Sequence, residues 1–313
     1  MARSSLRQRL SPNALAARAG EVLPTLALKP LLAQALRGFG VSLCLHRVAT
    51  VDRVTDWQPG LNISPTTLDT LVELLLSASP ASGARWLTLS FDDGYSDAAD
   101  YIATRAPLFP TIDFTFFVCP EKLEKRAGFR WDAAELAMRN GIAPDTAKAL
   151  LDAPVDAATE NARPDLTALA DAPEYALATL EQVKALAALA NVRIGNHTNL
   201  HLNAVTLSDE QARAEYRSST QTFLRLLGPQ REFAFPYGTP RHQFAGRHVE
   251  MLRELGPFEI WSTEPRPYRL EERKPGAVLP RFPVNGRHSA KAIAGWVLGR
   301  ALNHRLRGSK YAF

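Results

Sequence analysis

The sequence predicts an α/β protein built on a parallel sheet. Apolar strand-like runs alternate with amphipathic helical segments through the middle of the chain, and the chemically distinctive residues fall at strand ends, the habit of barrel-type α/β folds. One stretch departs from the alternation. Residues 121–178 are alanine-rich helical segments broken at Pro144, Pro154, Pro164 and Pro173, which reads as an insertion on the catalytic face.

The elements follow in order. Residues 41–46, Val-Ser-Leu-Cys-Leu-His, read as a buried strand. Ser64 and Pro65 open an amphipathic helix to about residue 79, with serine as cap and proline in the first turn. Residues 86–91 form the next strand, Ser96 caps a helix to about residue 105, and the β-branched and aromatic run 111–118 is a third strand. After the insertion, Thr179-Leu180-Glu181-Gln182 is a capping-box signature that starts the helix before a strand at 192–195, and Ser208-Asp209-Glu210-Gln211 repeats the device. Residues 232–235, 259–262 and 278–282 read as strands, 243–255 as a helix, and Ser289 caps a final helix reaching Arg307.

With 313 residues and 46% hydrophobic content, the chain suffices for one α/β domain with extensions. Cys44 and Cys119 sit inside apolar runs, as small buried thiols do, and they make neither a disulfide framework nor a Cys-x-x-Cys zinc pattern. Charge is segregated. Residues 1–40 carry six Lys/Arg against one acid, residues 287–313 carry six against none, and 41–286 carries 25 basic and 31 acidic residues. The expected organisation is therefore a basic N-terminal extension (1–40), a catalytic domain (41–286) and a basic C-terminal helix (287–313), with no nucleic-acid partner. The N-terminal stretch lacks the pattern of a signal peptide, and no run approaches the ~20 apolar residues of a membrane span, so a cytoplasmic setting is expected. In the last helix Trp296, Val297, Leu298, Leu302 and Leu306 interleave with Arg300, Arg305 and Arg307. Arg3, Arg7, Arg9 and Arg18 alternate with apolar residues in a weaker version. Both patterns suit peripheral attachment to an anionic membrane face.

Three strand-terminal turns carry the chemistry. Ser90-Phe91-Asp92-Asp93-Gly94 sets two carboxylates side by side, and neighbouring carboxylates in a dry site need a cation or different duties. One solution binds a metal through one and uses the other as a base, with imidazoles completing the coordination. His197-Thr198-Asn199-Leu200-His201 supplies two, and Phe235-Pro236-Tyr237-Gly238 is a third turn at the end of a strand.

These motifs resemble those of the polysaccharide deacetylases, the carbohydrate esterase group with the NodB-like homology domain. Ser90–Gly94 is similar to the Thr-Phe-Asp-Asp-Gly motif, His197–His201 matches His-(Ser/Thr)-x-x-His, and Pro236–Gly238 matches the end of Arg-x-Pro-Tyr-Gly, with Ala234 where the arginine is expected. The resemblance implies a deformed, incomplete (β/α) barrel of about seven strands. It also implies one divalent ion, zinc for preference, held by Asp93, His197 and His201, with Asp92 as base and the Tyr237 backbone N–H as oxyanion donor. The family's acid histidine usually ends the last strand in Leu-x-His, which is missing here. Some relatives resemble a circular permutation in which that strand comes first, and Leu45-His46 fits, making His46 the acid. Arg281, near the end of a late strand, is the candidate to orient Asp92 in place of the missing arginine.

For the substrate, Trp131, Pro236 and Tyr237 are the contact candidates, Trp131 through the face of its ring; Trp57 is another, while Trp261 is expected in the core. His242, His248, His288 and His304 read as surface or helix histidines. The function expected is hydrolytic removal of an N-acetyl or N-formyl group from an amino sugar of a polysaccharide or lipid-linked glycan by metal-activated water. The alternative is a degenerate glycan-binding member of the fold. An iron oxygenase with two histidines and a carboxylate shares the ligand set but leaves Asp92 unused.

Overall fold

The structure, a computed structural model, describes residues 21, 25–49, 60–78, 85–152, 155 and 158–307. Arg3, Arg7, Arg9, Arg18 and Trp57 lie outside the described residues. The strands are β1 (Phe39–Leu45), β2 (Arg47–Val48), β3 (Asn62–Ile63), β4 (Leu87–Phe91), β5 (Asp113–Val118), β6 (Val192–Asn196), β7 (Glu232–Ala234), β8 (Glu259–Trp261), β9 (Tyr268–Arg269), β10 (Val278–Leu279) and β11 (Phe282–Pro283). The α-helices are α1 (Thr25–Leu36), α2 (Pro65–Leu76), α3 (Ser96–Arg105), α4 (Pro120–Lys125), α5 (Arg130–Arg139), α6 (Pro144–Asp152), α7 (Pro164–Thr167), α8 (Leu180–Ala187), α9 (Asp209–Leu227), α10 (Gly246–Leu255) and α11 (Ala290–Arg307).

The main sheet runs β10-β8-β7-β6-β5-β4-β1-β11, parallel throughout, with β9 antiparallel to the start of β1. Its two ends are joined by one segment. Residues 278–279 pair with β8, residues 282–283 pair with β1, and Pro280 and Arg281 lie between. Counting that segment as one stave gives the nearly closed seven-stave barrel that the family resemblance implies. The expected single strand at 278–282 is thus two short pairings on opposite neighbours. Because β1 lies between β4 and β11, His46 and Asp92 leave adjacent strand ends.

Local chemistry explains most boundaries. The Ser64 hydroxyl accepts from Thr67 N at 3.1 Å with Pro65 in the first turn of α2, and both capping boxes form, at Thr179 and Ser208. Ser96 is the first residue of α3 rather than its cap; Tyr95 precedes it with no side-chain cap, and its hydroxyl donates to Asp132 Oδ2 at 2.7 Å. Within the insertion, Pro144 and Pro164 begin helices, as a residue lacking an N–H does at a first turn. The insertion is stitched to the first motif by the backbone. Ser96 N donates to Ala176 O at 3.0 Å and Ala178 N to Gly94 O at 2.9 Å. His248, expected at a surface or on a helix, is a fully buried helix residue whose Nδ1 accepts from Ala245 N at 3.0 Å.

The last helix turns its apolar residues inward. Ile293, Ala294, Val297, Leu298 and Ala301 are buried in the main core, and Trp296 meets Phe282 edge-on at 5.5 Å. Arg300 Nε donates to Pro265 O at 2.6 Å and Arg305 Nε to Ala35 O at 2.7 Å, so two of the three arginines of this helix expected to face lipid hold backbone carbonyls. Of the apolar residues of this helix assigned to a membrane face, Leu302 and Leu306 are exposed, whereas Trp296, Val297 and Leu298 have partners within the fold. Among the described residues no helix is long and apolar enough to cross a membrane.

Inside the barrel, Phe117, Ala234, Trp261, Tyr268 and Leu279 form a compact cluster. Gly195 on β6 keeps it that way: an added Cβ would stand 2.3 Å from Phe117 Cε1, a ring that is fully buried under the Arg281 guanidinium. Gly195→Ala is expected to cost about 1–3 kcal/mol in urea unfolding, whereas Gly246→Ala, where the added Cβ meets nothing within 4 Å, should stay within about 0.5 kcal/mol. Equal stability of the two variants would contradict this packing.

Candidate active site

The three motif turns meet at the C-terminal ends of β4, β6 and β7, and they hold four of the six non-glycine residues with left-handed backbone among the described ones. Asp93 (φ 75°), Thr198 (φ 65°), His201 (φ 55°) and Tyr237 (φ 63°) all lie there. Such conformations cost about 1–3 kcal/mol each and persist only where surroundings over-determine them. The histidine turn shows how. Thr198 N donates to Asn196 Oδ1 at 2.8 Å, His201 N to Thr198 Oγ1 at 3.1 Å, and the N–H groups of Asn199 and Leu200 both donate to Glu215 Oε1, at 2.7 and 2.8 Å.

Asp93, His197 and His201 converge as expected for a ligand set, all three buried. His197 Nδ1 lies 2.8 Å from the carbonyl of Ala234, so Nδ1 carries the proton and Nε2 presents its lone pair. That Nε2 is 3.5 Å from Asp93 Oδ1, and His201 Nε2 is 3.1 Å from the same oxygen. Neither Asp93 Oδ1 nor His201 Nδ1 makes a hydrogen bond of normal geometry despite burial. A buried carboxylate oxygen facing two imidazole nitrogens without a shared hydrogen bond suits a divalent cation, and one carboxylate with two imidazoles is a zinc-type donor set with room for further ligands. Burial works to raise the Asp93 carboxyl, but His201 and His197 beside it prevail and hold it well below the usual range.

Asp92 has different company. Arg281 Nη1 donates to Oδ1 at 2.6 Å and Nη2 to Oδ2 at 2.9 Å, a bidentate pair in which the guanidinium is fully buried. The rest of the arginine is also engaged: Nε donates to Ser262 O at 3.3 Å, Nη1 to Ser90 Oγ at 3.1 Å, and the group lies over the Phe117 ring at 5.1 Å. Burial alone would raise the Asp92 carboxyl; the Arg281 charge and the facing His197 outweigh it and lower it. Ala234 contributes its carbonyl to His197, and its small side chain sits in the interior cluster beside Phe117.

His46 follows β1 and stands beside Asp92. One of its ring nitrogens, Cys44 Sγ and an Asp92 carboxylate oxygen all lie within 4.8 Å of one another, and the buried His46 Nδ1 has no hydrogen-bond partner among the described residues. Tyr237 is exposed and its ring meets His201 edge-on at 5.1 Å; among the described residues its backbone N–H has no acceptor. Pro236 is buried at the turn and does not line the adjoining cleft.

That cleft, of about 320 Å³, is lined by His201, Tyr237 and the insertion's Lys122, Phe129, Arg130, Trp131 and Glu160, among others. Trp131 is half-buried, stacked on Phe129 at 4.4 Å with 8° between planes, and its Nε1 donates to the Tyr95 hydroxyl at 2.9 Å. Trp261 is fully buried, as expected.

Several residues in the site carry no sequence signal. Cys44 Sγ donates to Asp92 Oδ2 at 3.4 Å, although a cysteine in an apolar strand reads as packing. Glu215 lies on α9, where a glutamate reads as a solvated helix face, yet it fixes the histidine turn. The order Ser208-capped helix after a histidine pair was the only clue that a residue of α9 would face that turn.

Comparison with known proteins agrees with this arrangement. The polysaccharide deacetylase family model matches residues 80–256. No curated protein matches the sequence significantly. Among solved structures, the chain is similar to IcaB from Ammonifex degensii at 21% identity and TM-score 0.50, covering 83% of this chain and 97% of that one. It is also similar to a de-N-acetylase from Aggregatibacter actinomycetemcomitans (14%, TM-score 0.53, 83% and 100% covered) and to the Streptococcus pyogenes deacetylase PplD in complex with acetate (13%, 0.52, 82% and 96%). At these identities the structures establish the fold. With the family model spanning more than half of the chain, this protein belongs to the polysaccharide deacetylase family.

Proposed function

We propose that this protein is a metal-dependent hydrolase that removes the acetyl, or formyl, group from the nitrogen of an amino sugar in a polysaccharide or lipid-linked glycan. The observation that carries the reading is the division between adjacent carboxylates: Asp92 is committed through both oxygens to Arg281, while Asp93 faces two imidazoles. Asp93, His197 and His201 would hold a zinc ion, which would supply a Lewis-acid centre to polarise an acyl oxygen and acidify water. Asp92, kept ionised by Arg281, takes the proton of the attacking water. His46, beside it, protonates the departing amine. The Tyr237 N–H stabilises the oxyanion, and Trp131 offers an aromatic surface to the sugar. The non-catalytic alternative rests on the missing arginine at position 234, and the buried Arg281–Asp92 pair supports the catalytic reading over it. Acetate or formate release from a panel of polymeric, lipid-linked and nucleotide-linked amino sugars tests the reading; no release from any member by zinc-loaded enzyme would end it.

The division of duties predicts that Asp93→Ala, His197→Ala and His201→Ala each lose bound metal by elemental analysis, whereas Asp92→Asn keeps it and loses ~10²–10⁴-fold in turnover. Wild-type metal content in all three ligand variants, or full activity in Asp92→Asn, contradicts it. His46→Ala should lose a similar ~10²–10⁴-fold on an amide but far less on 4-nitrophenyl acetate, whose leaving group needs no proton. Equal losses on the two substrates would remove His46 as acid.

Arg281→Met leaves the Asp92 carboxyl with burial and without its cation, so the carboxyl rises. The base is then protonated to a higher pH, and the acid limb of kcat/KM should move up by roughly 1–3 units. Removing one partner of a buried pair also costs about 3–5 kcal/mol, so Arg281→Lys, which keeps the charge, serves as the milder variant with a smaller displacement. An unmoved acid limb in both variants would show that Arg281 does not set the base.

A further inference from the structure

Lys122 is a buried charge that the proposed chemistry does not use and that, among the described residues, no carboxylate pairs with. Three basic residues are buried among the described ones: Arg47, Lys122 and Arg281. Arg47 and Arg281 each hold a carboxylate at 2.6 Å, that of Asp97 and that of Asp92. Lys122, only 2% exposed, holds none. Its Nζ donates to Gly128 O at 3.0 Å and Asn161 Oδ1 at 2.8 Å and lies 5.1 Å from the Phe129 ring centroid, all neutral groups. Burial pulls its pKa below the ordinary lysine value and outweighs the opposing pull of the Glu160 and Glu121 carboxylates, neither of which is close enough to pair with it.

The position of this charge gives it a purpose. Lys122 lines the same 320 Å³ cleft as His201, Tyr237 and Trp131. The other charges in that lining cancel: Arg130 Nε and Nη2 pair with Glu160 at 2.6 and 2.5 Å. The wall beside the catalytic turn therefore carries one net positive charge, in a space of ligand size. We propose that the cleft binds an oxyanion, a carboxylate or phosphate carried on the amino sugar or its neighbouring residue, with Lys122 as counter-ion. The inference rests on the deacetylase reading above and narrows its substrate to an acidic glycan. A charge-assisted contact of this kind in a partly dry cleft favours the acidic substrate by roughly ten-fold or more.

The test compares N-acetylglucosamine disaccharides that are neutral, carry a neighbouring uronic acid or carry a phosphate, each with the zinc-loaded full chain. The expected result is a kcat/KM at least about ten-fold higher for one acidic arm than for the neutral one, expressed mainly in KM; the preferred arm tells carboxylate from phosphate. Lys122→Met, checked for retained zinc and cooperative unfolding, should bring the acidic-to-neutral ratio close to one, and Lys122→Arg should keep it. Equal kcat/KM across the wild-type panel, or an unchanged preference in Lys122→Met, overturns the proposal. If no member is hydrolysed, the wider panel of polymeric, lipid-linked and nucleotide-linked sugars decides the deacetylase reading. Calorimetric binding of the same three sugars then decides the cleft separately: tighter binding of an acidic sugar that Lys122→Met abolishes supports the anion site, and equal binding refutes it.

Discussion

The bidentate contact between Arg281 and Asp92 is the interaction on which the rest of this structure depends. It places a carboxylate and a guanidinium in the dry interior of a barrel, where each alone would be strongly penalised by desolvation. The penalty is offset because nearly every donor of the arginine is used, by Asp92, Ser90 and the Ser262 carbonyl, and because its flat face lies on Phe117. The same residue sits at the joint of the barrel, between the half-strand that pairs with β8 and the half-strand that pairs with β1. Closing the barrel and ionising the proposed base are therefore one structural event. With Asp92 committed to this partner, Asp93 is the carboxylate that meets both His197 and His201 most closely, while Asp92 stands 3.9 Å from His197.

The left-handed residues tell a complementary story. Asp93, Thr198, His201 and Tyr237 each need support to stay in conformations that their side chains disfavour. That support comes from outside the motifs: Glu215 on α9 gathers two amides of the histidine turn, and the Ala234 carbonyl fixes the tautomer of His197. The insertion joins in through backbone bonds to the segment just after Asp93 and through the Tyr95–Asp132–Trp131 contacts. The motif residues supply donors, and residues elsewhere in the sequence hold them in register.

This division explains what could be read from the sequence. The ligand and base candidates were legible because the chemistry restricts residue type and places them at strand ends, and Arg281 was legible because, with alanine at 234 in place of the motif's arginine, Asp92 needed a cation from some other strand. Glu215 and Lys122 were not, since a charged residue on a helix carries the same local pattern whether it faces water or a buried turn. The pairing of 278–279 and 282–283 with different strands was likewise hidden, because two-residue ladders are defined by their tertiary neighbours and not by periodicity. For α11 the amphipathic pattern was legible, but the surface that its apolar stripe meets was not. An apolar stripe flanked by arginines suits lipid or a barrel wall, and here Trp296, Val297 and Leu298 find the protein.

The central claim is that one ion sits on Asp93, His197 and His201 while Asp92 stays with Arg281. Zinc-edge anomalous diffraction from crystals of the zinc-loaded protein tests it most directly. The account predicts a single strong peak about 2.0–2.2 Å from a carboxylate oxygen of Asp93 and from both Nε2 atoms, with the Arg281–Asp92 pair intact. A peak ligated by Asp92, or zinc bound away from the two histidines, would contradict it.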